Sequence, residues 1–429
     1  MSRLIELEPP RERAFLVAVD TGDAPGWTAE ESIGELAALA DTAGAEVVGA
    51  EWQNRRTPDP TWYLGKGKAQ ELVQAKAETG FTLLIADDEL TPNQQRSLEG
   101  LVGCKVLDRS GLILDIFAQH AQTHEGRLQV ELAQLEYQLP RLTRLWTHLS
   151  RTGGGIGTRG PGESQLETDR RLIRERIRRL RERLDDVRRQ REIASRSRDR
   201  RLVPTVAIVG YTNAGKSTLL NALVGFEAAR AEDRLFATLD PTSRAVKLGE
   251  GQSAIVSDTV GFIHKLPHQL VDAFRATLEE VTRADVLLEV VDAFDPHYAE
   301  HLATVQQVLD DLGAGAKPRL VAYNKADLLE SGAREGSNPA PMIGEAVLVS
   351  ALTGYGLETL RTRLSALLAD LWEDVDTVLP YTAGELIARV RERGTVEIEY
   401  RGTDVRVRGR VAPQLAGELR AASEVRPAS

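Results

Sequence analysis

Length, composition and charge set the first limits on this chain. It has 429 residues, a formal net charge of −10 and 42% hydrophobic residues, enough for several cores and about three domains. No apolar stretch reaches the roughly 18 residues of a membrane-spanning helix, and the N-terminal segment MSRLIELEPPRER lacks the apolar region of a signal peptide. The single cysteine, Cys104, permits no internal disulfide. We therefore expect a cytoplasmic monomer without a membrane span, with peripheral membrane association left open as an alternative.

The first 120 residues alternate between strand-like and helix-like segments, which predicts an α/β domain with a mostly parallel sheet. The sequence GKGK at 65–68 opens the second of these helices. It lacks the loop length of a triphosphate site, so we interpret it as an RNA or structural contact, with an ATP-like site as the alternative. The strand-like runs are 14–19, 46–49, 82–86 and 105–107, and the helix-like runs are 28–39 and 69–78.

Two heptad-like patterns follow and predict a long antiparallel helical hairpin with an apolar seam. A glycine-rich link, 146–163, would form its tip. The tip contains a formal GxGxxG at 155–160, but a dinucleotide site needs a preceding strand, and here a helix precedes. The seam positions are Leu128, Leu132, Leu135, Leu139 and Leu142, then Leu166, Ile173, Ile177, Leu180, Leu184 and Val187.

Positive charge is concentrated in one segment of the chain, although the net charge of the whole is negative. Residues 141–201 hold 19 arginines, no lysine and 9 acidic residues, a net +10, so the remainder carries −20. Planar guanidinium groups at this density are typical of a phosphate-contacting surface, and the alternative is a solvated helical face with internal ion pairs. The residues that we expect to contact RNA are Arg151, Gly153, Gly154, Gly155, Gly157, Arg159 and Gly160.

Residues 210–217 read GYTNAGKS and lie between the apolar run 203–209 and a helix-like run. A loop that leaves a buried strand and enters a helix directs several backbone N–H groups at one phosphate. Lys216 would reach the terminal phosphates, and the Ser217 hydroxyl would bind Mg²⁺. The expected nucleotide contacts here are Gly210, Tyr211, Thr212, Asn213, Ala214, Gly215, Lys216, Ser217 and Thr218.

The base is indicated by Asn324, Lys325 and Asp327, which follow the apolar run 319–323. The Asp327 carboxylate can accept hydrogen bonds from guanine N1–H and N2–H₂, whereas adenine would leave that charge unpaired. After another strand-like run, Ser350, Ala351 and Leu352 are expected to support the guanine O6. The pattern therefore predicts a guanine nucleotide.

The hydrolytic residues are expected between these two motifs. Asp258 would bind Mg²⁺ through water, and the Gly261 N–H would contact the γ-phosphate, with Thr259 and Val260 in the same loop. The first switch would comprise Phe236, Ala237, Thr238, Leu239 and Asp240, with Thr238 as the second Mg²⁺ ligand and Thr242 as the competing candidate. Ser217, Thr238 and Asp258 are thus the expected metal ligands, and Lys216, Asn213, Thr238 and Gly261 the expected catalytic residues.

Phe262 follows Gly261 where many GTPases place a glutamine that orients the attacking water. An apolar side chain cannot orient water, so we expect slow hydrolysis by the free protein and stimulation by a partner. Asn213 occupies the position that, in potassium-stimulated GTPases, helps to coordinate K⁺ near the β- and γ-phosphates. K⁺ is therefore an expected cofactor candidate beside Mg²⁺.

The segment after the nucleotide-binding region carries no visible chemistry. Val396, Ile398 and Tyr400 alternate with glutamates, and Val405 and Val407 alternate with arginines, which predicts a β-hairpin. Helices are predicted on either side, over 383–392 and 413–422. We expect a small α+β domain for docking or structure.

These motifs resemble the HflX family of GTPases over nearly the whole chain up to about residue 370. The matching segments are YLGKGKAQEL, LDRSGLILDIFAQHA, EGRLQVELAQLEYQLPRL, GGGIGTRGPGESQLETDRR, GYTNAGKSTL, FATLDPT, DTVGFIHKLP and NKAD. His264 and Phe294 depart from the family pattern, outside the nucleotide-contacting motif positions. The resemblance implies a GTPase that binds GTP and GDP, associates with the RNA of the large ribosomal subunit and dissociates or rescues stalled or stress-arrested ribosomes.

The expected architecture is a P-loop GTPase domain with a mostly parallel, helix-flanked sheet, preceded by an α/β domain with a helical hairpin and followed by a small α+β domain. The expected boundaries are 1–120, 121–201, 202–371 and 372–429. An alternative function is a regulatory GTPase that acts as a timer on another RNA or protein, without ribosome splitting.

Overall fold

The computed structural model describes most of the chain and divides it into two compact units. The first unit comprises Met1–Val187, Arg234–Asp240 and His264–Arg275, and the second comprises Arg188–Asp233, Pro241–Ile263 and Ala276–Ser429. The described residues are 11–22, 27–142, 161–199, 203–225, 235–236, 238–240, 242–249, 252–265, 275–330, 346–411 and 413–424. No helix within these ranges is both long and apolar enough to cross a bilayer.

The first unit contains a four-stranded parallel sheet in the order β2-β1-β3-β4. This confirms the parallel sheet predicted from the alternation of strand and helix. Its strands are β1 (Arg13–Asp20), β2 (Glu46–Asn54), β3 (Leu83–Ala86) and β4 (Lys105–Asp108). Its helices are α1 (Ala29–Thr42), α2 (Lys66–Thr79), α3 (Pro92–Val102), α4 (Arg109–His120) and α5 (His124–Arg141), followed by α6 (Pro161–Asp199), which continues into the second unit.

The ends of these helices are specified by local sequence. Thr28 caps α1 and Thr91 caps α3, each in a reciprocal capping box with the residue three positions on, Glu31 or Gln94. Such boxes satisfy two backbone N–H groups that the first turn leaves unpaired. Helix α3 ends at Gly103, whose φ of 62° is a left-handed conformation that glycine adopts without a Cβ penalty.

The predicted apolar seam between α5 and α6 is confirmed for most of its positions, but Leu142 and Val187 are not part of the packed cluster and the side chain of Leu166 lies outside the described residues. Two ion pairs flank it, Arg176 with Glu131 and Arg181 with Glu136, each with a shortest N–O distance of 2.7 Å. The seam buries apolar surface of both helices against each other. The buried members are Leu128, Leu132, Ile177, Leu180 and Leu184, with Leu135, Leu139 and Ile173 packed against them.

A buried ionic network lies at the carboxyl end of β3. Asp87, which is 0% exposed, accepts a hydrogen bond from Arg109 at 2.9 Å and from Lys265 at 2.5 Å. Arg109 also donates to the Glu35 carboxylate and to the His264 carbonyl. Burial alone would raise the pKa of Asp87, but the charges of Arg109 and Lys265 outweigh it and hold the pKa at about 2.

The second unit contains a six-stranded sheet in the order β10-β9-β8-β5-β7-β6, in which only β6 pairs antiparallel. This is the mostly parallel, helix-flanked sheet that the motifs predict. The strands are β5 (Thr205–Gly210), β6 (Thr242–Gly249), β7 (Gln252–Asp258), β8 (Val286–Asp292), β9 (Arg319–Asn324) and β10 (Ala346–Leu348). The helices are α7 (Lys216–Val224), α8 (Arg275–Arg283), α9 (Tyr298–Asp311), α10 (Asp327–Glu330) and α11 (Leu357–Asp370).

The C-terminal part of the second unit is a three-stranded antiparallel sheet in the order β11-β13-β12. The predicted hairpin forms β12 (Thr395–Arg401) and β13 (Asp404–Val411), with helices α12 (Gly384–Arg393) and α13 (Pro413–Glu424). Strand β11 (Glu373–Pro380) was not predicted. Its sequence, EDVDTVLP, begins with three acidic residues in four positions, and only Val375 and Leu379 are buried.

Candidate nucleotide site

The loop at 210–217 connects the central strand β5 to α7, as its motif predicts. Gly210 has a φ of 147°, and a Cβ there would lie 2.3 Å from the Val290 carbonyl oxygen. Gly215 has a φ of 90°, and a Cβ there would lie 2.3 Å from the Asn324 side-chain nitrogen. Only glycine fits these two conformations at this packing distance, so both glycines are structural requirements of the loop.

Lys216 lies beneath this loop, 7% exposed. Its ammonium donates to the Tyr211 carbonyl at 2.7 Å and to the Gly210 carbonyl at 3.2 Å. Burial lowers the pKa of Lys216 to about 8, and the nearby Asp258 carboxylate opposes that change in part. The loop thus carries an oriented, partly desolvated cation for which a phosphate is the natural counter-ion.

Two of the three expected metal ligands lie in contact. The Ser217 hydroxyl donates to an oxygen of Asp258 at 2.6 Å, at the carboxyl end of β7. Asp258 is 2% exposed, so its charge is largely removed from solvent. A hydroxyl and a carboxylate are hard oxygen donors of the kind that Mg²⁺ prefers, and this pair therefore fits the Mg²⁺ ion that the motif predicts.

The segment that follows Asp258, residues 259–262, is hydrogen-bonded to the phosphate loop. Thr212 donates its N–H to the Phe262 carbonyl at 2.8 Å, and Phe262 donates to the Gly210 carbonyl at 3.1 Å. A Cβ on Gly261 would lie 2.8 Å from the backbone Cα of Thr212, so a glycine is needed for this approach. Phe262 is 1% exposed, and its buried ring places no polar group toward water.

Asn324 joins the phosphate loop to the base-binding region. Its side-chain amide donates to the Ala214 carbonyl at 2.9 Å and accepts from the Ala351 N–H at 2.9 Å. The Ser350 hydroxyl donates to an oxygen of Asp327 at 2.5 Å. The residues expected to recognise guanine, Asn324, Asp327 and Ser350–Ala351, are thus adjacent. The sequence did not indicate that Asn324 connects them to the phosphate loop.

The expected first-switch residues group with the first unit. The Asp240 carboxylate accepts hydrogen bonds from the N–H groups of Gln122 and Thr123, both at 2.8 Å, at the start of α5. The ring of Phe236 lies edge-on to Phe117, with centroids 4.8 Å apart. The structure therefore places these two predicted nucleotide contacts against the first unit. Thr238 and Leu239 belong to the same unit, whereas Ala237 and the predicted RNA-contacting residues lie outside the described residues.

Three features together define a P-loop GTPase. They are a phosphate loop after the central parallel strand β5, a contact between a serine and a carboxylate, and a guanine-type motif at the ends of β9 and β10. Three family models match the chain, described as GTP-binding GTPase N-terminal at 30–118, GTP-binding GTPase middle region at 120–198 and 50S ribosome-binding GTPase at 205–325. The chain belongs to the HflX family of GTPases, and it binds and hydrolyses GTP.

Individual relatives cover most of the chain. It is 46% identical to the GTPase HflX of Caldanaerobacter subterraneus subsp. tengcongensis, over 97% of this chain and 94% of that protein. It is 45% identical to the GTPase HflX of Escherichia coli (strain K12), over 87% of this chain and 88% of that protein. A GTP-binding protein from Sulfolobus solfataricus, solved in complex with GDP, aligns with 83% of this chain and 98% of its own at 26% identity and a TM-score of 0.41.

The lowered pKa of Lys216 gives a testable pH dependence. In the free protein the ammonium is lost as the pH rises through about 8, and a neutral amine cannot pair with phosphate. We expect the dissociation constant for GTP to rise by about tenfold per pH unit above that pKa. Titration with a fluorescent GTP analogue between about pH 6.5 and 9.5 measures this. The matched control is Lys216→Arg, whose guanidinium stays charged, and an equal pH slope in both proteins would contradict the assignment.

Base recognition by Asp327 is tested by Asp327→Asn. The change removes two charge-assisted hydrogen bonds to guanine, so GTP affinity should fall by about 2–4 kcal/mol. Affinity for xanthosine triphosphate should rise, because its O2 acceptor suits the new amide. Competition titrations measure both, with the exposed Asp311→Asn as control. A variant that still prefers GTP would show that another group reads the base.

Proposed function

We propose that this protein is a Mg²⁺-dependent GTPase that binds the large ribosomal subunit and dissociates or rescues stalled ribosomes. It acts in the cytoplasm as a monomer. The observation that carries the proposal is the arginine-rich helix α6, which has 39 residues and ends at Asp199, shortly before the phosphate-loop strand β5 in the sequence. One matching family model is described as a 50S ribosome-binding GTPase, which supports the same partner.

The arginines of α6 fall into two groups. Arg178 and Arg179 form ion pairs with glutamates of their own helix. Arg171, Arg174 and Arg183 are exposed and have no ion pair among the described residues. Exposed guanidinium groups without a protein counter-ion are available to neutralise RNA phosphates and so release the cations condensed on the RNA. Arg171, Arg174 and Arg183 therefore support a contact with ribosomal RNA. The alternative of a solvated helical face with internal ion pairs accounts only for Arg178 and Arg179.

Hydrolysis in the proposed mechanism relies on charge rather than on a water-orienting side chain. Lys216 would neutralise the terminal phosphates, and Ser217, Asp258 and Thr238 would hold Mg²⁺, with Thr242 as the alternative third ligand. The Gly261 N–H would contact the γ-phosphate. Since Phe262 is buried, we infer that free turnover is slow and that the ribosome stimulates it.

Asn213 provides a direct test of charge-based catalysis. Its φ of 61° places it in the left-handed region within the phosphate loop. If it helps to hold K⁺ beside the phosphates, the ion supplies charge stabilisation that an arginine finger supplies elsewhere. We expect faster GTP hydrolysis in K⁺ than in Na⁺, and no difference in Asn213→Ala. Phosphate-release assays in matched salts measure this, and equal rates for the wild type would remove K⁺ from the mechanism.

The ribosomal partner is tested with subunit-splitting assays by sucrose-gradient sedimentation. Deleting 153–160 should abolish splitting while leaving the GTP affinity of the free protein unchanged. Charge reversal of Arg171, Arg174 and Arg183 should weaken binding to 50S particles and reduce its dependence on salt. The matched control is the Arg178→Ala, Arg179→Ala double variant, whose arginines pair within α6. If the deletion variant splits ribosomes as well as the wild type, the timer function on another RNA or protein becomes the better proposal.

A further inference from the structure

The second residue of the phosphate loop is held by a ring that no sequence motif indicates. Tyr211 is 6% exposed, and its ring stacks on the imidazole of His301 in α9. The ring centroids are 3.6 Å apart and the planes differ by 11°. Both residues belong to the second unit, and His301 lies 90 positions further along the chain.

The loop lacks continuous packing on the side that faces α9. A cavity of about 40 Å³ lies between the loop, β8 and α9, lined by Tyr211, Asn213, Glu289 and His301 among others. One carboxylate oxygen of Glu289 is buried without a hydrogen-bond partner in the described structure, and its other oxygen pairs with Arg319 at 3.1 Å. Atoms that line a cavity lose the dispersion contacts of a filled core, so the stack is a major support of the loop at this point.

Tyr211 also carries the backbone groups that orient the chemistry. Its carbonyl accepts the Lys216 ammonium at 2.7 Å. The next N–H, that of Thr212, donates to the Phe262 carbonyl at 2.8 Å, and Gly261 lies directly before Phe262. A displacement of Tyr211 would therefore move both Lys216 and the N–H expected at the γ-phosphate.

We propose that His301 is a positioning residue for GTP hydrolysis, which acts by stacking on Tyr211 and so fixing the phosphate loop against Lys216 and Gly261. The contact depends on the flat ring face. Burial lowers the pKa of His301, which favours the neutral imidazole and avoids a desolvated charge over the tyrosine ring.

The test compares full-length His301→Ala, His301→Phe and, as matched control, His297→Ala, which changes a histidine at the start of the same helix. We expect kcat for GTP hydrolysis to fall by about tenfold in the alanine variant, because small displacements of reacting groups cost rate steeply. GDP lacks the γ-phosphate, so GDP affinity should change by less than about threefold. The phenylalanine variant keeps a flat ring and should return to within about twofold of wild-type kcat, and His297→Ala should match the wild type.

Three outcomes would overturn the proposal. Wild-type kcat in His301→Ala would show that the stack positions nothing. A phenylalanine variant as slow as the alanine variant would assign the effect to the imidazole nitrogens. A loss of GDP affinity as large as the loss of kcat would indicate general damage to the site. Ribosomes are absent from all of these assays, so their results do not depend on the ribosomal partner.

Discussion

The nucleotide site depends on one buried amide, the side chain of Asn324. It donates to the carbonyl of Ala214 in the phosphate loop and accepts from the N–H of Ala351 in the loop after β10. Both bonds are buried, so each group would be costly to leave unpaired. Because Gly215 has no Cβ, the amide can lie directly against the phosphate loop. A single side chain therefore fixes the distance between the region that receives the phosphates and the region that receives the base.

The catalytic side of the site is organised by contacts among its own residues. Lys216 is held by two backbone carbonyls and Ser217 contacts Asp258, so these side chains are fixed relative to the loop. Preorganised charges in a region with little water stabilise a developing negative charge more strongly than charges in water do. The buried Phe262 ring contributes nothing polar to this set, so that position offers an attacking water no side-chain partner.

Local sequence patterns predicted most of the fold and the kind of nucleotide site. They did not predict the contacts between residues that are far apart in the chain. The phosphate loop, the parallel sheets and the α5–α6 seam all follow from residues within a few positions of each other. The contacts of Asn324 with Ala214 and of Asp240 with Thr123 join residues 110 and 117 positions apart. No local periodicity encodes such pairs. The edge strand β11 was missed for a different reason, since its acidic outward positions conceal an alternation with only two buried side chains.

The buried carboxylate of Asp87 joins Lys265 to the carboxyl end of β3. Asp87 is fully buried and has two cationic partners, Arg109 at 1% side-chain exposure and Lys265 at 29%. Loss of Arg109 would leave a buried carboxylate without its main counter-ion, which typically costs about 3–5 kcal/mol. Loss of the Lys265 contact leaves Asp87 paired with Arg109, and Lys265 also pairs with Asp88 at 2.6 Å. Arg109 is therefore the counter-ion on which the buried charge of Asp87 mainly depends, and it also donates to the His264 carbonyl next to Lys265.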